Sequence, residues 1–232
     1  MSPLLMDRAL YIALNTGEEI GMRTHRVPPD GAGVRRNYGK VFRKLDFGRV
    51  ASARTLDEVA EAFFRNARII LKHDGYHIPL AVFLRDNEIL SIASAEFPNR
   101  GSKYLVIREL AHYALSLGAT QCVIVSEAWA AEAAKMEPGE FPDTAEGRVE
   151  ILSLVAADSD GQAFQLTAPM KRSLLNKKKV KKIGLTARND LKGVSIVAPF
   201  QQLWGCLDVG AEPEEVIIGD GAASAAEPDP TP

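Results

Sequence analysis

Residues 78–129, IPLAVFLRDNEILSIASAEFPNRGSKYLVIRELAHYALSLGATQCVIVSEAW, place three apolar runs and one helical period in a fixed order. Residues 78–85 (IPLAVFLR) read as a strand, Asp86-Asn87 as a tight turn and residues 88–97 (EILSIASAEF) as the returning strand of a hairpin. Between residues 102 and 117 the period changes. Tyr104, Ile107, Leu110, Ala111, Ala114 and Leu117 recur every three or four positions, with Ser102 as a cap and Gly118 just past the end. Residues 122–125 (CVIV) are then apolar on both faces, and a strand of that kind is covered on both faces. This stretch is therefore the middle of a sheet with helices against it.

Working outward toward the N-terminus, Thr55-Leu56-Asp57-Glu58 fits a capping box, in which hydroxyl and carboxylate satisfy backbone donors at a helix start. Leu56, Val59, Ala60, Phe63, Ala67, Ile70 and Leu71 form the apolar stripe of the helix that follows. Glu58, Glu61, Arg65, Arg68 and Lys72 face out, and Gly75 ends it. Toward the C-terminus, residues 148–157 and 162–168 read as two strands joined by Asp158-Ser159-Asp160-Gly161. The expected fold is α+β: a core over residues 55–169 with about five strands in a mixed sheet and two packed helices, in the order helix, hairpin, helix, strand, hairpin. Around it stand an irregular basic arm (1–54), a basic extension packed on the core (170–218) and a tail (219–232) expected to be disordered because it lacks large apolar groups.

Composition narrows the function classes. The chain of 232 residues is 46% apolar with a net charge of -2, ordinary for a globular protein, and nothing global draws it to nucleic acid or membrane. No apolar run approaches the roughly 20 residues of a bilayer span, and the first residues lack the marks of a leader, so a cytoplasmic protein is expected. Cys122 and Cys206 do not suggest a disulfide framework.

Charge placement says more than net charge. If the strands ending near residues 97 and 129 run parallel through the crossover helix, their carboxyl ends share one sheet edge. Glu96, Arg100, Glu127, Trp129 and Arg148 then gather near the helix start at Ser102, a place suited to an anionic, phosphate-type ligand. The bland reading makes Ser102 a cap, Trp129 an anchor and the charges salt-bridge partners. The second feature is Lys171, Arg172, Lys177, Lys178, Lys179, Lys181 and Lys182, seven bases in a dozen residues. That density suits phosphate contacts or an acidic protein surface, including the acidic segment 132–150 of the same or another subunit. Without interleaved aromatics it supports no base stacking.

The remaining motifs are incomplete. Glu109 and His112 lack the second helix that a dinuclear metal site needs. His73, Asp74 and His77 lack a further ligand for zinc. Asp158 and Asp160 fit a hairpin turn better than a calcium loop. Residues 31–36 (GAGVRR) miss the third glycine of a dinucleotide fingerprint. Pro142-Asp143 precedes Glu150, but Leu152 stands where a nuclease centre carries a basic residue.

The expectation is a non-catalytic cytoplasmic interaction protein with no cofactor and no metal, contacting a protein partner or a second copy through its charged extensions. The alternatives are a small-ligand binder or enzyme using the strand-end cluster, and non-specific nucleic-acid binding through the lysine-rich segment.

Overall fold

The structure is a computed structural model that describes residues 8–13, 19–25, 41–95, 100–132, 135–137, 141–176, 179–191 and 195–207. At its centre, β3 (Leu80–Arg85) and β4 (Glu88–Ala95) form the expected hairpin. Asp86 and Asn87 both take positive φ, +51° and +64°, the conformation that matches a two-residue turn to strand twist. β5 (Gln121–Ala130) pairs with the other edge of β3, with Val82 opposite Val123. Here the structure corrects the expected mixed sheet: every pairing among the described residues is antiparallel. β4 and β5 point the same way because each opposes β3, which lies between them, so the connecting helix crosses over a strand.

The sheet is also larger than five strands. β6 (Val149–Asp158) pairs along the whole of β5, and β7 (Ala163–Arg172) returns beside it after the Asp158 turn. Asp158 Oδ1 accepts from the Asp160 and Gln162 amides at 3.1 and 2.9 Å, and Gly161 takes φ +88°. The outer edge of β7 is shared. β8 (Val180–Ile183) pairs with its C-terminal end and β9 (Ala187–Asp190) with its N-terminal half. On the opposite side, β1 (Arg8–Ala13) and β2 (Glu19–His25) add a hairpin to β4. Nine strands thus run in the order β1-β2-β4-β3-β5-β6-β7-β8, with β9 also on β7. The arm is therefore not wholly irregular, and the basic extension is partly sheet: backbone pairing, not apolar periodicity, brings these strands in. The tail 219–232 lies outside the described residues.

Among the described residues, four α-helices lie with the sheet. α1 (Phe47–Ser52) is capped by Asp46, which accepts from the Arg49 amide at 3.0 Å. α2 (Leu56–Asp74) begins at Thr55, whose Oγ1 accepts from the Glu58 amide at 3.2 Å, while Glu58 Oε2 accepts from the Arg54 amide at 2.7 Å. Gly75, at φ +80°, closes it by donating to the Leu71 carbonyl. α3 (Arg100–Ser116) starts two residues before Ser102, so Ser102 lies inside the helix and not at its N-cap. Tyr104, expected on the buried stripe, is exposed near the helix start; Val106 is buried with Ile107, Leu110, Ala111 and Ala114. α4 (Ala198–Leu203) follows β9 and packs Phe200 into the interior.

Alternation along the strands feeds two cores. Val82, Leu84, Val123, Val125, Leu152 and Leu154 meet Leu56, Val59, Phe64 and Leu71 of α2 on one face. Phe83, Cys122, Ile124 and Val155 meet α3 and α4 on the other. No helix among the described residues is long and apolar enough to cross a membrane.

Candidate anion-binding groove

The buried stripe of α2 leaves a basic stripe behind it. Arg65, Arg68 and Lys72, spaced three and four residues apart, rise along one flank of the helix. Beside them the β8–β9 connection stands clear of the helix, and a groove of about 1200 Å³ opens between the two. Val41, Phe64, Ile69, Leu166, Ile183 and Leu185 supply its apolar lining. Its polar lining is Lys44, Arg49, Arg65, Arg68, Lys72, His73, Thr186 and Arg188, with Glu61 as the one acid. Six lysines and arginines thus share a concave surface with a single carboxylate.

Several of these bases are fixed in place. Arg68 donates to the Gly184 carbonyl at 2.8 Å and to Thr186 Oγ1 at 3.2 Å, and partial burial pushes its guanidinium down from the ordinary value. Lys72 donates to the Lys181 carbonyl. Arg188 pairs with Asp57 and lies over the Phe164 ring at 3.8 Å, a cation–π distance. Arg49 bonds Glu61 at 3.0 Å. Lys44 and Arg65 are exposed and make no ion pair among the described residues. The groove therefore combines positioned guanidinium groups with two uncommitted charges. Its one imidazole, His73, holds Asp74 at 2.6 Å.

The strand-end cluster forms only in part. Glu96 lies outside the described residues, and Arg100 and Ser102 sit on the first turn of α3. Glu127 and Trp129 line one small cavity, and Arg148 meets Trp129: its guanidinium stands 5.1 Å from the Trp129 ring centroid and donates to the Thr144 carbonyl at 3.2 Å. The base that answers Glu127 comes from elsewhere. Arg172 reaches Glu127 at 2.5 Å, Glu150 at 2.7 Å and the Gly75 carbonyl at 2.5 Å, while the His77 amide donates to the other Glu127 oxygen at 2.5 Å. Arg172 thus serves as an internal tie between β5, β6, β7 and the end of α2. A cavity of about 110 Å³ remains, lined by Glu127, Ala128, Trp129, Glu150 and Met170. Two carboxylates in so small a lining disfavour an anionic ligand.

Of the remaining lysine-rich segment, Lys171, Lys179, Lys181 and Lys182 are exposed, and Lys177 and Lys178 lie outside the described residues. Among the described residues, no group of three or more His, Cys, Asp and Glu side chains is placed to hold a metal. One signal for the groove stands in the sequence, the 65, 68, 72 spacing on a helix whose opposite stripe is apolar. Arg188, Lys44 and Arg49 carry no such signal, because only the fold sets them beside α2.

A family model described as bacteriophage lambda protein ea47 matches residues 4–216. The chain belongs to that family. The matched span of this ea47-family chain takes in all nine strands, both cores and every residue that lines the groove. No curated protein and no solved structure matches the chain.

Proposed function

We propose that this ea47-family chain is a non-catalytic binding protein that takes a nucleic-acid backbone in the groove between α2 and the β8–β9 connection. The observation that carries the reading is the lining itself, six lysines and arginines to one acid on a surface that is concave rather than flat. Such a surface concentrates positive potential and exchanges bound counterions for phosphates. Held guanidinium groups such as Arg68 and Arg188 suit phosphate oxygens, since less freedom is lost on contact. The one aromatic ring in the lining, Phe64, is buried, so contact is to backbone and carries no base reading. The groove's carboxylate and imidazole are engaged by Arg49 and Asp74, which favours binding over chemistry.

The test is fluorescence anisotropy with short labelled single- and double-stranded DNA at low salt. The expected result is binding that weakens steeply as salt rises and shows little preference among sequences. The double variant Lys44→Glu/Arg65→Glu, which removes no fold contact, should weaken it by roughly tenfold or more. Absence of binding by the wild type at about 50 mM salt, or equal binding by the double variant, overturns the reading.

A further inference from the structure

A second surface, separate from the groove, lies at the end of the sheet where β5 finishes, β6 begins and β7 finishes. The register places Trp129 opposite Glu150 and Ile151 opposite Pro169, so these three strand ends share one edge. Beyond that edge the β7–β8 connection projects as a hairpin, tied by Ser173 donating to the Lys179 carbonyl and Lys179 donating to the Asn176 carbonyl, each at 2.9 Å. It carries Leu174 and Leu175 at 98% and 100% exposure. Two adjacent leucines standing fully in water are a feature that folding alone does not explain. Exposed bases flank them: Lys171, Lys179, Lys181 and Lys182.

The same sheet end carries the opposite character beside it. Trp129, Phe141 and Val149 are exposed apolar groups, with the Arg148 guanidinium over the Trp129 ring, and the described part of the segment between β5 and β6 bears Glu132, Glu137, Asp143 and Glu146 against Lys135 and Arg148. The cavity between Trp129 and Met170 holds about 110 Å³, well below the roughly 300 Å³ at which ordinary small-molecule sites begin. It has room for one aliphatic side chain, not a cofactor. An apolar tip flanked by bases and a partly apolar receptor with an excess of acids, Glu127 and Glu150 in its cavity among them, therefore occupy neighbouring places on one molecule.

We infer that the protein associates with a second copy of itself by exchanging these parts: the Leu174–Leu175 tip of one protomer seats on Trp129, Val149 and the small cavity of its partner. The lysines beside the tip face the acids beside the receptor. Because tip and receptor share one end of the sheet, a two-fold rotation forms both contacts together, which closes the assembly at a dimer. Apolar seating supplies the attraction, and charge complementarity sets the orientation.

Sedimentation of the full chain at increasing concentration, up to about 100 µM in low salt, tests this. The expected result is a shift from monomer to twice the monomer mass, weakened by salt. Leu174→Glu/Leu175→Glu should remain monomeric with an unchanged thermal melt, since neither leucine packs on its own chain. Trp129→Ala should weaken association by roughly tenfold or more. Mixing these two variants should give a heterodimer held by one of the two contacts, weaker than the wild-type dimer, because one variant keeps its receptor and the other its tip. A wild type that stays monomeric, or a dimer that the leucine variant leaves intact, overturns the inference. So does a monomer that instead co-sediments with vesicles containing phosphatidylglycerol, which would give the tip to a lipid surface.

Discussion

His77 sits between the end of α2 and β3 at 6% exposure, and its Nδ1 has no hydrogen-bond partner among the described residues. Burial pushes its pKa down from 6.5, against smaller raising contributions from the Ile78 backbone and Asp74. The folded state thus resists a proton that the unfolded chain accepts. Stability is unaffected well above 6.5 and is lost as pH falls from there through the lower folded value. The expected outcome is a urea midpoint that drops between neutral and mildly acidic pH, with a smaller drop in His77→Gln; an equal drop in that variant would assign the loss to other groups. Asp158, whose carboxyl burial pushes up, acts in the opposite sense and nearer the carboxylate range, so it does not mimic this effect. In the sequence His73 and His77 looked equivalent, two imidazoles in one loop. They part because the chain turns under itself at Gly75, leaving His73 outside with Asp74 and His77 within. Arg172 was obscured differently. Counted among lysines it read as surface, yet β7 alternates, and Met170 and Arg172 point inward on either side of exposed Lys171.

At the level of elements, the hairpin turn, the start and end of α2 and the two-faced strand β5 were all legible, because each is written in local chemistry: Asp86-Asn87, Thr55 with Gly75, and the CVIV run. β8 and β9 were not, since an edge strand has only one packed neighbour and no apolar period. All four residues of β9, ARND, are exposed. Lysines on β8 suit an edge that must not recruit another strand. β2 carries Gly21, opposite Tyr11 of β1, and a glycine interrupts the side-chain alternation by which a strand is read. The passage from β8 to β9 depends on Gly184, whose amide donates to the Pro169 carbonyl at 2.7 Å and whose own carbonyl holds Arg68. A Cβ there would lie 2.7 Å from Pro169 Cγ and 3.3 Å from its carbonyl oxygen, groups with little freedom to retreat. Gly184→Ala is therefore expected to cost about 1–3 kcal/mol in denaturant unfolding. It should also weaken polyanion binding, since Arg68 loses its anchor; unchanged stability would show that the connection is slack.

Across the whole molecule, the groove and the sheet end both depend on one sheet serving two cores, because the same strands send alternate side chains to opposite faces. Phe200 shows how far this binding together extends: it belongs to the basic extension, and it is fully buried against Phe83, with ring centroids 6.2 Å apart. Trp204 beside it donates to the Ala119 carbonyl at 2.8 Å. The two tryptophans of the chain report on opposite sides, Trp204 on the α3 and α4 face and Trp129 at the end of the α2 face. If the cores were independent, each would melt on its own. With β3, β5 and β6 common to both, losing one exposes the backs of strands that the other needs, and the two must unfold together. Phe200→Ala is expected to cost about 3–5 kcal/mol. In that background, Trp129→Phe and Trp204→Phe should give fluorescence transitions that coincide with each other and with far-UV circular dichroism. Were the Trp204 transition to move to lower denaturant while the Trp129 transition stayed in place, the shared-sheet account would fail, and with it the expectation that a change at residue 200 reaches the groove on the far side.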